Sequence, residues 1–211
     1  LGVKKSLMVV DMPYNTYRSK SLALKNAKKI IKETKCDAVK LEGGKKIIKQ
    51  IKFLIKNKIP VMGHLGLLPQ TNKGKFKSKG GNNKEIKQLI NESLLLQDCG
   101  VFSIVLECVK TSLAKQITEK LKIPTIGIGS SSYCDGQVLV TDDLIGLNNT
   151  KIKFVKKFIN IKKYINLGFK KFSSEVKSKK YPLKKHSYEK YILNCSFIER
   201  ISKSASPPIT N

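Results

Sequence analysis

Apolar positions along the first 142 residues alternate between two rhythms. Short runs of five or six residues, SLMVVD (6–11), AVKLE (38–42), PVMGHL (60–65), FSIVLE (102–107), PTIGIG (124–129) and QVLVTD (137–142), have the length and β-branched content of strands. Between them, 21–33, 44–58, 84–98 and 111–121 place apolar residues at three- and four-residue steps, the period of an amphipathic helix. Strands that alternate with helices of this length predict βα units around a parallel sheet. From about residue 151 the period turns helical, with Ile152, Val155, Phe158, Ile165, Phe169, Phe172 and Val176 recurring around one break until Tyr181-Pro182. After residue 189 no period remains, and 190–211 is expected to be a loosely ordered tail of unknown role beside a domain spanning 1–189.

The polar residues that interrupt these runs fall at their carboxyl ends. Asp11 precedes Met12-Pro13, Glu42 precedes Gly43-Gly44, His64 precedes Leu65-Gly66, and Glu107 precedes Cys108. In a βα barrel that edge is the face where chemistry takes place. Side chains two apart in a strand share a face, so Lys40 and Glu42 project together. By themselves they make an ordinary surface ion pair; beside three further strand ends of this kind they point into a barrel mouth. A closed barrel has eight strands and six are visible. Either the sheet is open or two units have been lost; with Leu1 just before the first strand, loss from the amino end is the simpler account, and the expected fold is an α/β (β/α)8 TIM barrel lacking its first two βα units, followed by carboxyl-terminal helices.

Charge alters this picture little. The 211 residues carry a formal net charge of +27, a value that usually points toward polyanions. Arg18 and Arg200 are the arginines; the rest of the basicity is lysine, in company with abundant isoleucine and asparagine, the bias of an AT-rich genome. Lys25, Lys28, Lys29 and Lys32 share one face of the first helix, opposite Leu22, Ala23, Ala27, Ile30 and Ile31, and read as a solvated face. Arginine forks are missing from the lysine runs, so neither nucleic acid nor membrane is an expected partner. The five cysteines are scattered, without C-x-x-C spacing, and form neither a disulfide framework nor a zinc site. A soluble, cytoplasmic enzyme is expected.

Several motifs together resemble one family. VDMPY (10–14), VKLEGG (39–44), PVMGHLGLLPQ (60–70), VLECV (105–109), IPTIGIG (123–129) and DGQVLV (135–140) are similar, in order and spacing, to ketopantoate hydroxymethyltransferases. FVKKF (154–158), SSEVKSKKYP (173–182) and HSY (186–188) resemble that family's closing helices and tail. The resemblance implies transfer of a one-carbon unit from 5,10-methylenetetrahydrofolate to 3-methyl-2-oxobutanoate, giving 2-dehydropantoate for pantothenate synthesis. It also implies Mg²⁺ as the metal and a homo-oligomer. Carried over by position, Asp11 and Glu42 hold the metal, Lys40 and Asp11 bind the keto acid together with His64, and Glu107 is the catalytic proton acceptor. Those residue types suit the chemistry: Mg²⁺ prefers carboxylate oxygens, a lysine neutralises a substrate carboxylate, and a partly desolvated glutamate serves as general base. For His64 a rim position bonded to backbone is the competing reading. Gly127 and Gly129 allow either close approach to a ligand or a tight turn, and Cys108 is expected to face the helices.

The match also departs from the family. Its first two βα units, with an acidic residue followed by serine, have no counterpart; the loop 71–83 is shorter and richer in lysine; and Asp142 stands where a histidine is common before Asp143. A barrel so truncated is expected to be poorly active and prone to associate. Two other readings remain open: an Mg²⁺-dependent enolate enzyme of the phosphoenolpyruvate mutase and isocitrate lyase type, and a lysine-rich polyanion-binding protein without catalysis.

Overall fold

The computed structural model describes residues 2–72, 77–149 and 152–188. Five predicted runs form strands, β1 (Val9–Asp11), β2 (Ala38–Glu42), β3 (Val61–Gly66), β4 (Ser103–Glu107) and β5 (Thr125–Ile128), and a sixth strand, β6 (Gly136–Gln137), meets the last predicted run at Gln137 only. They form one sheet in the order β1-β2-β3-β4-β5-β6, every neighbouring pair parallel. Consecutive parallel strands lying side by side are the winding of a βα barrel, here a half-barrel with β1 and β6 at its ends.

The connecting helices are α1 (Lys20–Thr34), α2 (Ile48–Lys56), α3 (Asn83–Asp98) and α4 (Thr111–Lys120), with a 3₁₀ turn over Lys45–Ile47 leading into α2. Local chemistry sets their ends. The Ser19 hydroxyl accepts the Leu22 N–H at 3.2 Å to start α1, and Lys35, at φ 58°, closes it in the left-handed region with its N–H on the Ile31 carbonyl at 2.9 Å. Alternation along β2 sends Val39 and Leu41 to the helical side, where both are fully buried. They join Ile51 and Leu54 of α2, Leu96 of α3, Ile104 and Leu106 of β4, and Leu113 and Ile117 of α4 in one core. Burying each such side chain contributes about 1.5–3 kcal/mol before ordering costs. The lysines on the outer face of α1 are exposed, as a solvated face requires.

Two predicted elements differ. The run QVLVTD does not extend as a strand to 142: β6 ends at Gln137, Val138 and Val140 are 47% and 53% exposed, and Thr141–Leu144 form the short helix α5. Among the described residues β6 pairs with β5 alone, and the acidic first turn of Asp142 and Asp143 favours a helix start. Likewise 152–160 is turn and coil, and the helix expected from about residue 151 is α6 (Ile161–Lys177), begun by the Asn160 side chain accepting from the Lys163 N–H.

The chain divides into two compact units, 1–158 and 159–211. The second holds α6 and a 3₁₀ turn over Lys184–His186, with the rings of Phe172 and Tyr181 packed edge-on at 5.5 Å. None of the residues of α6 is buried. The boundary expected at 189 and 190, and the tail beyond it, lie outside the described residues, as do residues 73–76 within the loop 71–83.

Candidate active site

Sheet register brings the strand-end residues together. Asp11 pairs with Lys40 across β1 and β2, Glu42 with His64 across β2 and β3, and Gly66 with Glu107 across β3 and β4. Leu41 faces the core, so its neighbours Lys40 and Glu42 share the opposite face. A side chain at Gly63 would meet Leu96 of α3, which puts His64 on that same opposite face. All five sequence-predicted site residues, Asp11, Lys40, Glu42, His64 and Glu107, therefore converge.

Their contacts form a chain. Lys40 Nζ lies 3.1 Å from Asp11 Oδ1 and 3.1 Å from His64 Nδ1. His64 Nε2 lies 3.2 Å from Glu107 Oε2, and Glu42 Oε1 lies 4.0 Å from His64 Nδ1. Exposure decreases inward: the Asp11 side chain is 55% exposed, those of Lys40 and Glu107 14% and 13%, and that of His64 only 3%. Burial pushes the Glu42 carboxyl above the ordinary glutamate value, against the pull of the Gln70 N–H, His64 and Lys40. A carboxylate held in that setting is one that a cation would stabilise.

Several residues of the site went unread in the sequence. The Gln70 backbone N–H donates to Glu42 Oε2 at 3.1 Å, its side-chain Nε2 donates to the Met12 carbonyl at 3.1 Å, and its Oε1 accepts from the Tyr17 hydroxyl at 3.4 Å. Gln70 thus ties the ends of β1 and β2 to the loop after β3. It closes the motif GHLGLLPQ, a signal that was present; Tyr17 lies in a turn, outside any periodic pattern. Burial pushes the Tyr17 hydroxyl up; the Glu42 backbone opposes this, and the Glu42 and Asp11 charges add to it. Gly66, at φ +95°, lets β3 approach β4: a Cβ there would collide with the Glu107 carbonyl, which accepts the Leu67 N–H at 2.8 Å.

Other expected features take structural places. Cys108 is half-buried at φ 52°, and burial, with the Glu107 charge adding to it, pushes its thiol up, away from nucleophile chemistry. Gly129, at φ +58°, makes a tight turn against the Phe154 ring. Asp143 is buried and accepts from Asn148 Nδ2 at 2.9 Å.

Among the described residues, no group of three or more His, Cys, Asp or Glu side chains is disposed to hold a metal ion. Asp11 and Glu42 offer two carboxylates, a donor set that suits Mg²⁺, which is commonly held by one or two carboxylates and completed by water and substrate oxygens.

A parallel βα half-barrel with carboxylates, a lysine and a histidine gathered at its carboxyl edge defines an enzyme of the βα-barrel class. The family profile described as Ketopantoate hydroxymethyltransferase matches residues 1–184. The 3-methyl-2-oxobutanoate hydroxymethyltransferase of Pelagibacter ubique (strain HTCC1062) is 65% identical over 188 residues, which cover 89% of this chain and 73% of that one. The enzyme of the same name from Clostridium botulinum (strain 657 / Type Ba4) is 45% identical over 192 residues, covering 89% and 70%. The chain belongs to the ketopantoate hydroxymethyltransferase family, transferases that make 2-dehydropantoate for pantothenate biosynthesis. Among solved structures, 2,3-dimethylmalate lyase, a PEP mutase/isocitrate lyase superfamily member, covers 95% of this chain and 71% of its own at 9% identity and a TM-score of 0.42, too low to add to the argument. Neither the phosphoenolpyruvate mutase type of enolate enzyme nor a polyanion-binding role is favoured. No helix among the described residues is long and apolar enough to cross a membrane.

Proposed function

We propose that this chain's strand-end cluster performs the family reaction: a hydroxymethyl group passes from 5,10-methylenetetrahydrofolate to 3-methyl-2-oxobutanoate, with Glu107 as the base. The observation that carries the reading is the continuous line Asp11, Lys40, His64, Glu107, with separations of 3.1, 3.1 and 3.2 Å, laid across four adjacent strand ends. Lys40 presents its ammonium to the keto-acid carboxylate, and Asp11 holds that ammonium in place. His64 lines the site between Lys40 and Glu107. The Glu107 carboxylate takes the C3 proton, and the electron pair left behind makes C3 the nucleophile for the one-carbon unit, which water releases from its two folate nitrogens as formaldehyde, leaving tetrahydrofolate; as the C3–C bond forms, the former carbonyl oxygen takes up a proton and becomes the hydroxyl of the hydroxymethyl group. Asp11 and Glu42 are the residues that would hold Mg²⁺, which when bound polarises the keto carbonyl and so acidifies C3–H. Glu42 is kept in orientation for this by the Gln70 N–H. The chain acts in the cytoplasm, and copies of it associate, which would cover apolar side chains now exposed on α6, such as Leu167 and Phe169.

Exchange of the C3 proton of 3-methyl-2-oxobutanoate with solvent deuterium, followed by NMR with Mg²⁺ and without folate, tests the base directly. Glu107→Gln keeps the shape and removes the basic oxygen, so exchange is expected to fall by about 10²- to 10⁴-fold with little change in keto-acid binding. Wild-type exchange in that variant would remove Glu107 from the mechanism. Glu42→Gln is expected instead to weaken Mg²⁺ binding measured by titration calorimetry, since a ligand charge is lost.

A further inference from the structure

His64 is the most enclosed polar group of the cluster, and each of its ring nitrogens meets an ionisable side chain from a neighbouring strand. Nδ1 faces Lys40 Nζ of β2 at 3.1 Å, and Nε2 faces Glu107 Oε2 of β4 at 3.2 Å. A lysine ammonium has three donors and no acceptor. A hydrogen bond between Lys40 and Nδ1 therefore requires the lone pair on Nδ1, and the neutral ring must carry its proton on Nε2. The Glu42 carboxylate, the other group near Nδ1, stands at 4.0 Å, beyond hydrogen-bond reach. Lys40 is in turn steadied by Asp11 Oδ1 at 3.1 Å, so the donor that selects the tautomer is itself held.

The consequence falls on Nε2. It is buried, and although Glu107 Oε2 is within reach, no acceptor among the described residues lies well aligned with the N–H. Buried donors are seldom left so. The terminal torsion of a glutamate is soft and broad, so turning the Glu107 carboxylate is enough to complete the bond. We propose that His64 is a positioning residue for Glu107: with its tautomer set by Lys40, it donates Nε2–H to Oε2 and leaves Oε1 to receive the substrate proton. This rests on the reading of Glu107 as the base. It places in one line the residue that binds the substrate carboxylate and the residue that removes the proton, so the Lys40 ammonium acts on Glu107 through the ring as well as on substrate.

The test begins with the full chain labelled with ¹⁵N-histidine, free of substrate and metal. The chain has two histidines, and His64→Gln identifies the signal. A pyridine-like Nδ1 and a pyrrole-like Nε2–H are expected at His64; an Nδ1–H tautomer or an imidazolium would overturn the proposal. With Glu107→Leu the Nε2–H proton resonance is expected to move upfield, and an unchanged resonance would show that the two groups do not pair. The kinetic arm uses the C3 exchange assay. The amide nitrogen of His64→Gln reaches the position of Nε2, whereas that of His64→Asn reaches the position of Nδ1. Exchange kcat is expected to stay within about threefold for the first and to fall by about tenfold or more for the second, with KM little changed in either. Equal losses in both, or losses confined to KM, would return His64 to the lining of the keto-acid pocket. An absence of exchange in every form would sink the reading of Glu107 as base, while the ring tautomer and its pairing are still decided by the resonances.

Discussion

Gly66 carries a constraint that no side chain could meet. At φ +95°, with the Glu107 carbonyl and the Val109 side chain where a Cβ would stand, it sets how closely β3 and β4 approach just where the proposed base is seated. Gly66→Ala is expected to destabilise the protein by about 1 kcal/mol or more, measured as a lower urea midpoint, because both the backbone conformation and the contact turn unfavourable. Gln70 acts at the same scale through three hydrogen bonds, but only two involve its side chain. Gln70→Ala should therefore leave the N–H on Glu42 in place while releasing Met12 and Tyr17. A loss of about 0.5–1.5 kcal/mol per bond removed is expected from urea unfolding.

At the scale of elements, α3 shows how a helix start is built from reciprocal contacts. Asn82 Oδ1 accepts the Glu85 N–H at 2.9 Å, and Glu85 Oε2 accepts the N–H groups of Gly80 and Gly81 at 3.0 and 2.9 Å. Asn82→Ala is expected to cost about 1 kcal/mol of stability. The Gly81 N–H above all holds the Glu85 carboxyl below its ordinary value, and the Gly80 N–H and nearby lysines act in the same sense. A carboxyl depressed in the folded state stabilises at pH above its unfolded value and loses that contribution as pH falls through the depressed value. The fall in urea midpoint on acidification over that window should accordingly be shallower in Glu85→Gln than in the parent chain. β6 and α5 show the opposite case: of the strand-like run 137–142 only Gln137 lies in a strand, and among the described residues β6 pairs with β5 alone.

For the molecule as a whole, stability is unevenly shared. β2, β3 and β4 lie between neighbours and against a helical layer, whereas α6 has no buried residue and exposes Tyr164, Leu167, Phe169 and Phe172 by more than half. Most helical stability in proteins comes from the packing of a buried face, so hydrogen exchange in dilute solution is expected to protect the amides of β2–β4 far more than those of α6. Protection of α6 that rises with protein concentration would accompany the association of copies proposed above. Equal protection of α6 and the central strands at all concentrations would contradict this distribution.

Periodicity alone marked five of the six strands and four of the helices, because each βα unit buries one apolar face and the alternation of period 2 with period 3.6 records that burial directly; the sixth strand it set too far along the chain. It also marked Asp11, Glu42, His64 and Glu107, since a charged residue ending an apolar strand is conspicuous, and Lys40 through its position two before Glu42. Tertiary structure alone decided which of these touch. Register across β2, β3 and β4 set His64 between Lys40 and Glu107, and no pattern within one strand encodes the stagger between two. The same holds for Gln70 and Tyr17, whose contacts span 28 to 58 residues of sequence, and for the end of β6, where the local pattern favoured a longer strand but Val138 and Val140 stand exposed.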